Sequence, residues 1–326
     1  MTSPGASMTV ASRLVGRALL GERAITVDQT NESVVVAEQV VVKWLRPPVP
    51  TPHPGVELLE FLSAQRFEHM PAFLGAHEAD DMVVAIATEF IPGALDGWDW
   101  FVDDVDALMR ESITLHQVVD RARRMGELAA ELHVALGGLQ RSTVAARLYH
   151  AQAGQALHDA LRLVDGPEGD RLRALVPGVE EALAPLQTDR LLSAHRIHGD
   201  LHAGNFLRAG DRMVITDFDG NPLVEANQRR LPQSPLRDLA SLLQSIDHVG
   251  RIVVKRRHLN READVEAAVA EAITAAHDAY AAHHPVDESL LMALRVAQEL
   301  HEFQYAATHL PRWMYVPDAA LPALLR

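Results

Sequence analysis

The segment His198-Gly199-Asp200-Leu201-His202-Ala203-Gly204-Asn205, followed by Ile215-Thr216-Asp217-Phe218-Asp219, concentrates the residue types that can do chemistry. Moving a phosphoryl group requires a carboxylate that accepts or orients the proton of the attacking hydroxyl. It also requires hard oxygen ligands for Mg²⁺, an ion that keeps several of its waters and so needs few protein ligands. Asp200, in a glycine-flanked loop, suits the first task. Asn205 offers a neutral oxygen, and Asp217, at the end of the apolar run 213–216, a charged one.

Each of these residues alone has an ordinary explanation. An aspartate in a glycine-rich loop is usually a turn residue. His198, Asp200 and His202 alternate as metal ligands on a strand would, but Gly199 and Gly204 favour a loop. What decides the matter is the spacing. A carboxylate and an amide five residues apart, with a strand-borne carboxylate twelve residues later, form the layout of a kinase catalytic loop and metal loop.

The phosphates need a cation as well. Lys43 closes the β-branched run 40–42, from where an ammonium could reach the α- and β-phosphates. Glu57, on the following helical segment, is the expected ion-pair partner of Lys43, and Glu60, one turn on, is the competing candidate. The loop expected over the phosphates, Gln29-Thr30-Asn31-Glu32-Ser33, has no glycine. Asn, Thr and Ser must then turn the chain, with Ser33 among the expected nucleotide contacts.

Two kinds of chain must position these groups. Up to about residue 92 the pattern is strand-rich. Val34-Val35-Val36 and Val40-Val41-Val42 flank the short turn Ala37-Glu38-Gln39, which reads as a hairpin. Pro47, Pro48, Pro50, Pro52 and Pro54 exclude a helix there and suggest a local connector. A short helix is expected over 55–65 and another strand over 82–90, stopped by Ile91-Pro92-Gly93. Beyond that hinge, apolar residues recur at helical spacing over about 113–137, 143–164, 235–248, 262–283 and 287–308. Residues 195–222 return to short strands and turns.

The bulk composition narrows the classes. Of 326 residues, 48 % are hydrophobic and 23 % charged, an ordinary soluble balance, and no apolar run is long enough to span a bilayer. The N-terminal stretch does not read as an export signal. Cysteine is absent, which removes disulfides and thiolate sites and fits a cytoplasmic enzyme. A net charge of −14 argues against a nucleic-acid partner and suits a neutral or cationic ligand. A monomer or homodimer with no membrane or nucleic-acid partner is expected.

On these residues the chain resembles the aminoglycoside-phosphotransferase-like kinases, and within them the actinobacterial maltokinase group. Residues 29–43 are similar to that group's phosphate-loop hairpin and strand lysine. His53-Pro54-Gly55-Val56-Glu57 resembles the segment carrying its helix glutamate, which favours Glu57 over Glu60. Phe90-Ile91-Pro92-Gly93-Ala94 with Gly97-Trp98 resembles its hinge, with Glu89 and Ile91 as nucleotide contacts. Ser234-Pro235-Leu236-Arg237-Asp238-Leu239-Ala240 resembles a segment just beyond the metal loop. The departures are Asn205 where maltokinases carry Gln, Asp219 where they carry Glu, and little room for their N-terminal cap domain. With the C-terminal residues 298–305 and 310–318, these departures make the chain look more like the glucosamine kinases. The resemblance implies an α+β, two-lobed protein-kinase-like fold, with a β-rich N-lobe over 1–92 and a helical C-lobe over 93–326. It also implies ATP and Mg²⁺, and transfer to the 6-hydroxyl of glucosamine.

Gln298, His301, Glu302, Tyr305 and His309 recur at intervals of three and four and so share a helix face. Such a stripe is often only a wet surface. This one lacks Lys and Arg, contains an aromatic, and is followed by Trp313, which can stack on a sugar ring. A protonated aminosugar needs a carboxylate, for which Glu302 stands first and Asp219 next. His202 also belongs to the expected acceptor set, whereas Trp98 and Trp100 read as core or lobe-packing residues. The competing readings are a neutral-sugar kinase such as maltokinase, an aminoglycoside phosphotransferase, and a nucleotide-binding pseudokinase. The presence of Lys43, Asp200, Asn205 and Asp217 together speaks against the last.

Overall fold

The structure is a computed structural model that describes residues 3–25, 31–222, 224–258 and 260–326. The chain divides into two compact units. One holds the chain up to Leu95 with His198–Asp200 and Asn205–Leu231; the other holds Asp96–Ile197, Leu201–Gly204 and the chain from Pro232 onward. Compactness thus groups the metal-loop segment with the strand-rich residues, whereas a boundary at residue 92 follows chain order.

The first unit opens with α1 (Ala6–Val15), which the sequence pattern did not announce. There follow β1 (Glu22–Ala24), β2 (Glu32–Val36), β3 (Val40–Pro50), α2 (Pro54–Ala64), β4 (Phe73–Ala79) and β5 (Met82–Glu89). The strands form one antiparallel sheet in the order β1-β2-β3-β5-β4. The expected hairpin is present, with Val36 opposite Val40 and Ala37 and Glu38 at φ 54° and 53°. Two successive left-handed residues give the turn a twist that matches the flanking strands. The prolines exclude a helix, as expected, but they do not end β3. Its register with β5 shifts between Trp44 and Val49, and the strand resumes at Val49 and Pro50. An irregularity of this kind absorbs residues that cannot donate to the ladder. Lys43 therefore lies inside a strand and not at its end. Val10 and Ala11 of α1 pack with Val34, Val36, Val42, Trp44, Ala85 and Ala87, and the Trp44 indole donates to Ser7 Oγ at 3.0 Å.

The helical unit begins with α3 (Gly97–Met109), α4 (Leu115–Leu136), β6 (Ser142–Ala145), α5 (Ala146–Leu163), α6 (Gly166–Leu183) and β7 (Leu191–Ala194). A capping box between Thr114 and Gln117 starts α4, and β6 pairs antiparallel with β7. The chain then contributes the hairpin β8 (Phe206–Ala209) and β9 (Arg212–Ile215), with the one-turn α7 (Ala226–Arg229), to the first unit. Finally α8 (Leu236–Arg256), α9 (Glu262–Ala281), α10 (Glu288–Thr308) and α11 (Tyr315–Leu324) complete the helical unit. In it α4 packs along α9, and α10 against α5 and α8.

Candidate active site

In the strand-rich unit a single histidine ties the two motif segments together. His198 Nδ1 accepts from the backbone N–H of Asp200 at 3.3 Å, which leaves Nε2 to carry the proton donated to the Thr216 carbonyl at 2.9 Å. Its ring also packs at 5.0 Å from that of Phe218. Asn205 Nδ2 donates to the Asp200 carbonyl at 2.8 Å, and Thr216 N–H donates to the Asn205 carbonyl at 2.9 Å. The segments that carry Asp200, Asn205 and Asp217 are thereby tied together by the His198 ring, the Asn205 amide and the Thr216 N–H. Asp217 has φ 64°, an uncommon conformation for a non-glycine residue and one that clusters at functional sites.

Lys43 reaches this cluster. Its ammonium donates to Asp217 Oδ1 at 2.5 Å and to Asp219 Oδ2 at 2.8 Å. Burial pulls its pKa down, but the carboxylates of Asp219 and Asp217 outweigh that and hold it above the ordinary lysine value.

The expected Lys43–Glu57 pair is not what the structure holds. Glu57 takes a bidentate grip from Arg230, Nε and Nη2 each at 2.7 Å. A planar guanidinium matches a carboxylate on two atoms, whereas the Lys43 ammonium is already claimed by two others. Glu60 is exposed. The neighbouring Arg229 donates to the Asp219 carbonyl at 2.7 Å. The start of α2 closes this arrangement. His53 caps it by accepting from Gly55 N–H and Val56 N–H at 3.1 and 3.3 Å, and its burial lowers its pKa. A Cβ on Gly55 would lie 2.5 Å from Asp219 Oδ1 and 3.1 Å from the Phe218 carbonyl, so a larger residue there must displace the Asp219 carboxylate.

The donor set fits Mg²⁺. Because Asn205 commits its amide nitrogen to Asp200, its oxygen is turned the other way, and Asp217 adds a carboxylate, giving one neutral and one charged hard oxygen. A cation, the Lys43 ammonium, already lies against that carboxylate.

The remaining nucleotide candidates are spread around this unit. Ser33 pairs with Lys43 across β2 and β3. Asn31 Oδ1 accepts from Arg46 N–H at 3.3 Å, while Gln29 and Thr30 lie outside the described residues. The Glu89 carboxylate is taken by Arg212, at 2.8 and 2.9 Å, and by Ala72 N–H at 3.1 Å. Ile91 is buried and its carbonyl accepts from Ala94.

In the helical unit the C-terminal stripe separates into two groups. Glu302 is gripped on both oxygens: Gln298 Nε2 donates to Oε1 and Trp313 Nε1 to Oε2, each at 3.1 Å. His301 turns instead to Gln304 Oε1 at 3.2 Å, with its pKa lowered by burial and then by the charge of Arg237. Tyr305, exposed, packs at 5.5 Å from His309. His202 stacks on Trp98 at 5.6 Å, and Trp98 meets Trp313 at 5.8 Å. A Cβ on Gly204 would lie 2.4 Å from the Trp98 indole, so the loop can rest on that ring only with glycine there. Trp100 is core, as expected, but Trp98 joins the aromatic cluster beside Glu302. Arg229, Arg230 and Trp98 carried no spacing signal that would have singled them out. The acceptor carboxylate proposed second, Asp219, is occupied by Lys43.

No family model matches the chain. It is 38 % identical over 340 residues to a glucosamine kinase of Streptacidiphilus jiangxiensis, a match spanning 99 % of this chain and 78 % of that protein. Among solved structures it is similar to a glucosamine kinase in complex with glucosamine, ADP and inorganic phosphate. That match has a TM-score of 0.86 at 35 % identity and covers 100 % of this chain and 84 % of that one. A thermostable mutant of the aminoglycoside phosphotransferase APH(4)-Ia shares the fold, with a TM-score of 0.53 at 11 % identity over 98 % of each chain. Among the described residues no helix is long and apolar enough to cross a membrane.

Proposed function

The chain belongs to the glucosamine kinase family, and we propose that it transfers the γ-phosphate of ATP to the 6-hydroxyl of glucosamine. The observation that carries this reading is the registration of Asp200, Asn205 and Asp217 through His198 and Thr216, with Lys43 at the same cluster. Asp200 orients the acceptor hydroxyl and takes its proton as the oxygen attacks phosphorus. Lys43 exchanges its two carboxylates for the oxygens of the α- and β-phosphates. Asn205 and Asp217 would hold Mg²⁺, which when bound neutralises charge on the phosphates. Glu302, oriented by Gln298 and Trp313, receives the protonated amine of the sugar, where a charge-assisted hydrogen bond is worth about 1.5–3 kcal/mol. An ATP-dependent enzyme of this kind acts in the cytoplasm.

An ADP-release assay over glucosamine, N-acetylglucosamine, glucose, maltose and kanamycin tests this. Glucosamine should give the highest kcat/KM. Acetylation removes the positive charge that Glu302 recognises, so N-acetylglucosamine should be poor. A preference for maltose or kanamycin would replace the reading.

A further inference from the structure

Beneath the Glu302 group lies a second pair of ionisable residues that the proposed chemistry does not use. Glu299 is completely buried on α10, one residue from Gln298 and three from Glu302. Burying a carboxylate is unfavourable and is tolerated only where it is paired. Its Oε1 accepts from His248 Nε2, on α8, at 2.7 Å, while its Oε2 has no hydrogen-bond partner among the described residues. His248 is itself buried, and its ring stands perpendicular to that of Trp313 at 6.1 Å. Burial lowers its pKa, but Glu299, then Glu302 and Asp247, overcome this and lift it to about 9. Burial also raises the pKa of Glu299, against the pull of His248.

We infer that His248 and Glu299 are positioning residues for acceptor selection, setting the Trp313 indole so that its N–H holds Glu302 in the orientation that receives the amine. This rests on the reading of Glu302 as the amine's carboxylate. Trp313 ends the short helical turn Pro311–Trp313 after α10, where its backbone N–H donates to the Leu310 carbonyl at 2.8 Å. Its indole ring meets those of Trp98, His248 and Tyr315, and of these only His248 is itself fixed by a buried carboxylate. An apolar side chain in place of His248 could fill the space but would lack the hydrogen bond that fixes the imidazole. The pairing matters electrostatically too. An imidazolium with a carboxylate has no net charge, so it does not cancel the negative field that Glu302 offers a cationic sugar.

The test compares wild type, His248→Gln, Glu299→Gln and Glu302→Gln. The readout is the kcat/KM ratio of glucosamine over glucose, with the Trp313 indole N–H resonance identified by its loss in Trp313→Phe. His248→Gln should lower the ratio about three- to tenfold, through KM for glucosamine, and shift that resonance. Glu299→Gln keeps shape and removes charge; it should move both readouts in the same direction and serves if His248→Gln does not fold. If Glu302→Gln lowers the ratio while folded His248 and Glu299 variants leave ratio and resonance unchanged, the positioning role is overturned. If Glu302→Gln itself leaves the ratio unchanged, the reading beneath the inference falls, and the inference with it. Failure of both the His248 and Glu299 variants to fold would make the pair part of the core and equally overturn the positioning role.

Discussion

The charges of the strand-rich unit and those of the helical unit are arranged on opposite plans. Lys43, Asp217 and Asp219 are partly open, with side-chain exposures of 24, 48 and 15 %, and one ammonium is shared between two carboxylates. His248 and Glu299 are sealed, at 3 and 0 %, and each has one ionic partner at hydrogen-bond distance. In the proposed reaction cycle the groups that trade partners stay near water, where exchange costs little. Groups that must hold a shape are buried, where losing a partner is expensive. The same contrast separates Glu57, gripped at the surface by Arg230, from Asp238, buried beneath His133 at 3.0 Å.

The contrast breaks most sharply at Asp200. Asp200→Asn should lower kcat by about 10²–10⁴-fold while leaving ATP affinity nearly intact, because its proposed role is on the acceptor and not on the nucleotide. Residual turnover within threefold of wild type would remove it from the reaction. Next comes the exchangeable cluster. Asp217→Ala should abolish Mg²⁺-dependent ATP binding in calorimetry, whereas Asn205→Ala should only weaken it, since water can replace a neutral oxygen. Unchanged Mg²⁺–ATP affinity in the Asp217 variant would contradict the assigned role.

Gly55→Ala probes how tightly the exchangeable cluster is framed. The added Cβ would press on Asp219, and a displacement of that size should cost about 10- to 100-fold in kcat/KM for ATP. Unchanged ATP kinetics would show that Asp219 moves freely.

Effects on stability rather than on turnover are in pH dependence, and they carry opposite signs. The lowered pKa of His53 means that its contribution to stability is present above the unfolded histidine value, about 6.5, and is lost as pH falls below it. The raised pKa of His248 means that its contribution is complete below about 6.5 and is lost as pH rises through about 9, at most about 3 kcal/mol. Denaturant titrations across pH should show both slopes. His53→Asn should flatten the acid side and His248→Gln the alkaline side. If both variants keep the wild-type profile, the two histidines do not differ in this way.

Much of this arrangement was legible in the sequence because it is local. The hairpin at Ala37-Glu38, the long helices and the loops proposed as catalytic and metal loops each rest on residues close together in the chain. Much of what escaped was set by breakers or by distance, although α1, which has neither, was not announced. Two helices contain interior prolines, Pro177 in α6 and Pro322 in α11, which mask their periodicity. The short α3 is dense in aspartates and opens on glycine. The Glu57–Arg230 pair joins residues 173 positions apart, so only the fold could reveal that Arg230 displaces Lys43. The Lys43–Asp219 and Trp98–His202 contacts are equally non-local. On the C-terminal stripe, spacing placed Glu302, His301 and Tyr305 on one face. It did not distinguish the side chain held by Gln298 and Trp313 from those that turn away.

The measurement that bears most directly on the account is the identity of the product. Wild-type protein incubated with ATP, Mg²⁺ and glucosamine should yield a phosphosugar whose phosphorus correlates with the C6 protons in a ¹H–³¹P spectrum, and Asp200→Asn should yield none in the same time. Phosphorus correlated with the anomeric proton, or no phosphosugar from glucosamine at concentrations that support turnover of another sugar, would contradict it.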